Sequence, residues 1–369
     1  MSTRCSLSST TAHSICQYSF CRVFLAFLLL GSNSVPPKYG LRAVAAYNNS
    51  NINNNIINNN NNNNNNIARG IMRGAWKSQG RSQRDLVDQL AKRRIIETDA
   101  VRRVMETVDR GNYCVRADGS TNRAVSYTDG PVPIGLGQTI SAPHMHAYAL
   151  EEIYPTLALA AAQHKNERQQ QGLKILDVGC GSGYLTACFG RWLSAKQGDE
   201  DKSILGLPLN SSNNNDNGNR IGSKVFGIDV YRHLVDVTRR NMLREDGDLL
   251  EKGVVHLSVR DGWKGLPEHA PFDAIHVGAA AETLPEALAT QLKVGGVMIV
   301  PIGPHHADSN QAQVLYKIRR IGGGSSNSND DDNNEEAADH SCLSFRKEDF
   351  EITSLLGVRY VPLVHGKQG

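Results

Sequence analysis

Apolar residues recur at helical spacing in two opening stretches, then give way to short apolar runs exchanging with amphipathic ones. Leu86, Val87 and Leu90 share one face of a helix predicted over residues 82–94. Val101, Val104, Met105 and Val108 repeat the spacing behind Thr98, a residue suited to cap a helix N-terminus. Residues 130–137 (GPVPIGLG) are too rich in Pro and Gly to predict any regular element, and 144–162 reads as helix again. From there strands and helices alternate. Lys174–Val178 predicts a strand, Tyr184–Leu193 a helix, 225–229 a strand and Arg232–Met242 a helix. Strands at 254–259, Phe272–Val277 and 296–300, a helix at 285–292, and two late edge strands at 313–321 and 350–363 complete the pattern. Repeated βα units of this kind predict a doubly wound, mostly parallel α/β sheet.

Composition trims the chain to what can fold. Of 369 residues, 48–67 are almost all Asn, and 196–223 and 322–341 are rich in Asn, Asp, Ser and Gly. Such segments bury too little apolar surface to offset the entropy of ordering them, so they are expected to be inserts outside the core. About 240 residues remain, enough for one sizeable core. With 40% apolar and 21% charged residues, the chain is neither fibrous, nor wholly disordered, nor a multispanning membrane protein.

The overall charge of +3 hides an asymmetry. Residues 1–84 carry nine Lys or Arg and no acid, which leaves 31 basic and 37 acidic residues for the rest, a net −6. An acidic body does not predict a nucleic-acid partner, which would call for a basic face. The basic leader contains an eight-residue apolar run, VFLAFLLL at 23–30, too short for a membrane-spanning helix of about 20 residues. It suits a secretory or organellar address, and a later start at Met72 is the competing reading. Three of the seven cysteines (Cys5, Cys16, Cys21) lie in this leader. Cys114, Cys180, Cys188 and Cys342 have neither CxxC nor framework spacing, so the body is expected to hold neither zinc nor disulfides and to work in the cytoplasm.

Candidate chemistry gathers at the predicted strand ends. Gly179, Cys180, Gly181, Ser182 and Gly183 form a glycine-rich turn between strand and helix, where backbone can approach a ligand and free N–H groups are on offer. The spacing is G-x-G-x-G, and a dinucleotide fingerprint would need glycine where Tyr184 stands. Asp177, Asp229 and Asp261 (followed by Gly262) are each expected just past a strand end, where open α/β sheets bind ligands. In register, three acids suit S-adenosylmethionine, which carries a sulfonium and an ammonium but no phosphate. Val230 and Leu234, beside Asp229, complete this part of the expected cofactor set.

These residues resemble the protein-L-isoaspartate (D-aspartate) O-methyltransferase family. The resemblance runs through Asp129-Gly-Pro-Val-Pro-Ile-Gly135, Gln138-Thr-Ile-Ser-Ala-Pro-His-Met-His146, Leu176-Asp-Val-Gly-Cys-Gly-Ser-Gly183, Phe272-Asp-Ala-Ile-His-Val-Gly-Ala-Ala-Ala281, Leu292 to Gly303 and Gly357-Val-Arg-Tyr-Val-Pro-Leu363. It implies a Rossmann-like S-adenosylmethionine-dependent methyltransferase domain over 72–366, monomeric, acting on isoaspartyl proteins and peptides with no nucleic-acid partner and no membrane span. It implies Ser141 as the catalytic residue and Gln138, Thr139, Ile140, Ser141 and His146 as cofactor contacts. His144 and His146 are expected to pack rather than to bind metal, and Gly278 to Ala281 to form a close-packed floor. Val364 stands where many members have Thr, and Cys180 where a small Ser or Thr is common. Two other readings compete: a methyltransferase of the same fold acting on RNA or a small molecule, and a non-catalytic isoaspartyl-binding module.

Overall fold

Ser82 and Thr98 cap the opening helices. Helix α1 spans Gln83–Lys92, with Ser82 Oγ accepting from Asp85 N at 3.2 Å. Helix α2 spans Asp99–Thr107, with Thr98 Oγ1 accepting from Val101 N at 3.3 Å. Each cap is worth about 1 kcal/mol. The predicted apolar stripes are fully buried where α1 meets α2 and α2 meets later helices.

This computed structural model describes residues 78–115, 119–121, 123–135, 137–166, 172–194, 204–205, 222–304, 312–323 and 345–366, all within the unit Asn60–Gly369. The leader, the Asn tract and most of the two inserts lie outside the described residues.

One expectation fails just ahead of the sheet. After a short helix α3, Arg123–Ser126, the Pro- and Gly-rich stretch forms a hairpin of β1, Val132–Gly135, and β2, Gln138–Ile140. Pro133 takes an exposed position there, and Gly135 and Gly137 adopt φ of 99° and 69° around the turn. The residues that argued against a strand are the ones that build its turn. Helix α4, Pro143–Asn166, follows and is longer at both ends than predicted. Its leading proline sits where a missing N–H costs nothing.

The remaining elements are β3 (Lys174–Val178), α5 (Tyr184–Leu193), β4 (Lys224–Asp229), α6 (Arg232–Met242), α7 (Asp248–Glu251) and β5 (Val255–Val259). Then come β6 (Phe272–Val277), α8 (Glu286–Thr290), β7 (Leu292–Ile302), β8 (Gln313–Arg320) and β9 (Phe350–Val358). Seven strands form one sheet in the order β5-β4-β3-β6-β7-β8-β9; β8 alone runs against the others, antiparallel to both β7 and β9, and the remaining neighbours pair in parallel. This is the Rossmann-like, doubly wound, mostly parallel arrangement expected. Strand order reverses at β3, which pairs with β4 on one side and β6 on the other. Ligands bind such sheets above the strand ends at that reversal.

Side chains alternate across the sheet. Ile175, Val225, Ala274, Val297 and Ile299 join α1, α2, α4 and α5 in one core; Leu176, Val178, Phe226, Ile228, Ile275, Val277 and Met298 join α8 in the other. Each fully buried aliphatic side chain contributes about 1.5–3 kcal/mol. Ile204 and Leu205, inside the stretch expected to stay out of the core, pack against the first cluster.

Candidate functional site

Three elements meet at the reversal point. The turn after β3 is stitched to β4, with the N–H groups of Gly179 and Cys180 donating to Ile228 O at 2.8 and 3.0 Å. From the other side α6 holds the same turn: Thr238 Oγ1 donates to Gly181 O and Asn241 Nδ2 to Ser182 O, both at 2.9 Å. Glycine is obligatory at Gly183, where φ is 89° and a Cβ would lie 2.6 Å from Thr238 Cγ2. At Gly278 a Cβ would lie 2.9 Å from Gly179 O, so the floor after β6 can approach the turn only without a side chain.

The resulting cleft holds roughly 560 Å³ of space, part of it continuous with solvent. Gln138, Thr139, Gly179, Gly181, Asp229, Val230, Leu234 and Gly262 line it as predicted. Ile134 of β1, Ala279, and the segment from Val361 to Val364 line it too; all but Val364 fall within the family motifs, though none was expected as a cofactor contact. Among the described residues that line it, Asp229 supplies the one charged side chain, and none is Lys or Arg. Its Oδ2 accepts from Gly181 N at 3.2 Å and its Oδ1 from Tyr231 N at 3.0 Å. Burial pushes its pKa above the ordinary 3.8 despite those bonds, and nearby Asp177 adds to the rise. Apolar walls, free backbone groups and a single carboxylate suit a ligand with an aromatic ring, a diol and positive charge. A phosphate would meet no cation among the described lining residues. S-adenosylmethionine fits this donor set.

Other predicted residues lie elsewhere. Asp177 does not follow its strand but sits inside β3, on the face it shares with Ile175. There Oδ2 accepts from Thr186 Oγ1 at 2.5 Å and Oδ1 lies 2.8 Å from His276 Nδ1. Strand alternation thus turns its side chain under α5, away from the cleft. Cys180 is buried with Sγ 3.5 Å from Thr238 Oγ1, Ser182 is buried with Oγ accepting from Tyr184 N, and Gly183 is spent as the cap of α5. Ile140 belongs to the core. Asp261 stands past β5, bonded to Trp263 N at 3.0 Å and 3.6 Å from His365 Nδ1. Ser141 is half-buried between β2 and α4.

His146 does not line the cleft either. It is buried with Nδ1 3.4 Å from Arg110 Nη1 and its ring 5.0 Å from that of Tyr184. Burial, then the charges of Arg110 and His276, hold its pKa well below 6.5. The folded protein therefore keeps His146 neutral while the unfolded chain takes up a proton, so stability is lost as pH falls below about 6.5. A His146→Gln variant is expected to flatten that part of the stability profile, measured by urea titrations from pH 7.5 down to 5. An unchanged slope would assign it to other groups. His144, as expected, packs: Nδ1 lies 2.7 Å from buried Asp129 Oδ1. Among the described residues no group of three His, Cys, Asp or Glu side chains is placed to hold a metal ion. No described helix is long and apolar enough to cross a membrane.

Comparison with known proteins places this geometry. Residues 81–335 match the family model described as protein-L-isoaspartate(D-aspartate) O-methyltransferase (PCMT). A protein-L-isoaspartate O-methyltransferase of Triticum aestivum is 38% identical over 224 residues, 60% of this chain and 78% of that one. The Caenorhabditis elegans enzyme is 34% identical over 237 residues, 64% and 84% of the two chains. The protein-L-isoaspartate O-methyltransferase 2 of Arabidopsis thaliana is 36% identical, and the match spans only 58% of its length. Among solved structures, a Plasmodium falciparum protein described as a protein-L-isoaspartate O-methyltransferase, in complex with S-adenosyl-L-homocysteine, superposes with TM-score 0.52. It is 28% identical, over 77% of this chain and 98% of that one.

Proposed function

The chain belongs to the protein-L-isoaspartate(D-aspartate) O-methyltransferase family, and on that premise we propose that it methylates the α-carboxyl of L-isoaspartyl and D-aspartyl residues in damaged proteins, the first step of their repair. The carrying observation is the cleft at the strand reversal, whose described lining residues bring one carboxylate, apolar walls and no cation. Bound S-adenosylmethionine supplies an electrophilic methyl group on a sulfonium sulfur. Asp229 would accept from the ribose hydroxyls, the turn Gly179 to Gly183 would admit the amino-acid end, and Val230, Leu234 and Gly262 would enclose the adenine.

The residues have little chemistry left to do. The substrate carboxylate is already ionised at neutral pH and needs no general base. Alignment of its oxygen with methyl carbon and sulfur is the main task. Ser141, at the end of β2, would donate its hydroxyl proton to that carboxylate. Gly278 and Ala279 line the floor of the cleft. Cys114, Cys180 and Cys188 are free and buried, which supports work in a reducing, cytoplasmic setting. The enzyme acts as a monomer on isoaspartyl peptides and proteins.

The test uses the full chain, methyl-labelled S-adenosylmethionine, and two peptides differing only in Asp against isoAsp. Base-labile label on the isoaspartyl peptide alone is the expected result. Label on both, or on neither despite cofactor binding, would refute the assignment.

A further inference from the structure

The cleft is assembled from two halves that meet between β3 and β6. On one side, the turn after β3 is tied to β4 and α6 through Ile228 O, Thr238 and Asn241. On the other, the floor after β6 is tied to β7 and to the segment after β9. Ala281 N donates to Pro301 O at 2.9 Å and Ala280 N to Val361 O at 2.8 Å. Where the two strands end, Gly278 N donates to Val178 O at 2.8 Å. Past that bond the turn leans on β4 and the floor on β7, and neither Gly179 nor Gly278 has a side chain to hold the gap between them.

A polar pair lies directly beneath. Asp177 and His276 are register partners of the parallel pair β3–β6, so their side chains leave the same face of the sheet. Both are buried, with His276 Nδ1 2.8 Å from Asp177 Oδ1. With a carboxylate as partner, the ring nitrogen supplies the proton. The other oxygen, Asp177 Oδ2, accepts from Thr186 Oγ1 in the first turn of α5. One carboxyl group therefore links the strand that enters the glycine turn, the helix that leaves it and the strand that carries the floor. His276 Cε1 lies 3.6 Å from the place a Cβ on Gly278 would take, which sets the ring against the floor itself. Flanking positions on this face, Ile175 and Ala274, are apolar, so packing alone calls for neither a buried acid nor an imidazole.

Resting on the methyltransferase reading above, we propose that His276 is a positioning residue for the cofactor: its bond to Asp177 sets the distance between the glycine turn and the floor, and so the width of the slot that admits S-adenosylmethionine. Without that bond the two halves of the cleft shift relative to each other. The cofactor must then restore their alignment as it binds, which weakens affinity rather than chemistry.

The test measures Kd for S-adenosylhomocysteine by calorimetry on wild type, His276→Asn and His276→Gln. Asp273→Ala serves as the control, because Asp273 Oδ2 accepts from Lys174 N at 2.8 Å at the end of the same strand pair opposite the cleft. Asparagine places an N–H where histidine carries Nδ1, whereas glutamine places it one atom further out. His276→Asn is expected to bind within about threefold of wild type, and His276→Gln about tenfold more weakly, because a buried charge-assisted hydrogen bond is lost. KM for S-adenosylmethionine should follow Kd while kcat at saturating cofactor holds. Asp273→Ala is expected to lower the melting temperature and leave Kd unchanged. Wild-type affinity in His276→Gln would overturn the positioning role. So would equal losses in the two amide variants, or a weaker asparagine than glutamine variant, the order that side-chain volume alone would give. A loss in Asp273→Ala to match that of His276→Gln would overturn it as well. A wild type that binds no S-adenosylhomocysteine would instead bring down the reading on which this role rests.

Discussion

An Asp229→Ala variant is expected to bind S-adenosylhomocysteine about 10²- to 10⁴-fold more weakly than wild type and to fold normally. Two hydroxyl groups donating to one buried carboxylate contribute about 1.5–3 kcal/mol each, and each 1.4 kcal/mol is about tenfold in Kd. The carboxylate is only 6% exposed and its pKa is raised, so the folded protein holds it there against its own desolvation. Removing it relieves that cost, which offsets the loss of its bonds to Gly181 N and Tyr231 N at a solvent-accessible rim. Binding should therefore suffer where stability does not. The sign of the pH effect follows: cofactor affinity in the wild type falls as pH drops through the raised pKa, and the variant should lack that dependence. Calorimetric titration at neutral and mildly acid pH, beside a thermal melt, checks both parts. A Kd within threefold of wild type would remove Asp229 from the cofactor site.

Asp229 and Asp177 show what could be read in the sequence. Both are acids in short apolar strands, and both were expected at strand ends beside a ligand. The difference is one of register: Asp229 is the last residue of β4, whereas Asp177 is followed by Val178 within β3. A strand alternates its faces at every residue, so an uncertainty of one position at a strand end decides between cleft and core. His146 fails for a related reason. It lies within a family motif, but in α4 its ring points at Arg110 and Tyr184, partners more than thirty residues away in the chain. The α/β order, the Thr98 helix cap and the glycine turn depend on local spacing and were legible. The β1–β2 hairpin was hidden because Pro and Gly mark turns and edges as readily as they exclude strands.

Replacing Arg191 with methionine is expected to be among the most destabilising single substitutions in the domain, at about 3–5 kcal/mol. Arg191 is 1% exposed near the end of α5, the helix that starts at the glycine turn. Its Nε donates to Asp246 Oδ1 at 2.8 Å, and Nη1 and Nη2 donate to the two oxygens of Asp248 at 3.0 and 2.6 Å. Asp246 is equally buried and accepts from the Tyr113 hydroxyl at 2.6 Å, which ties the opening helical layer to the Rossmann-like sheet through one carboxylate. Methionine fills most of the volume but leaves Asp246 charged, buried and without a cation, and that orphaned charge rather than a cavity sets the cost. A melting temperature lower by roughly 6–20 °C follows for a domain of this size. Asp248 gives the cause a separate signature. Burial would raise its pKa, yet its bonds to Arg191 and Lys252 outweigh this and hold it below 3.8. Its contribution is present above that value and is lost as pH falls through the lowered folded pKa, so the variant should show a shallower acid limb as well as a lower plateau. Adding Asp246→Leu should recover part of the loss, because the unpaired charge then goes with its partner. Urea titrations of the three proteins between pH 3 and 7 decide the matter, and a single variant within 1 kcal/mol of wild type would mean that water reaches this network and carries the charge instead.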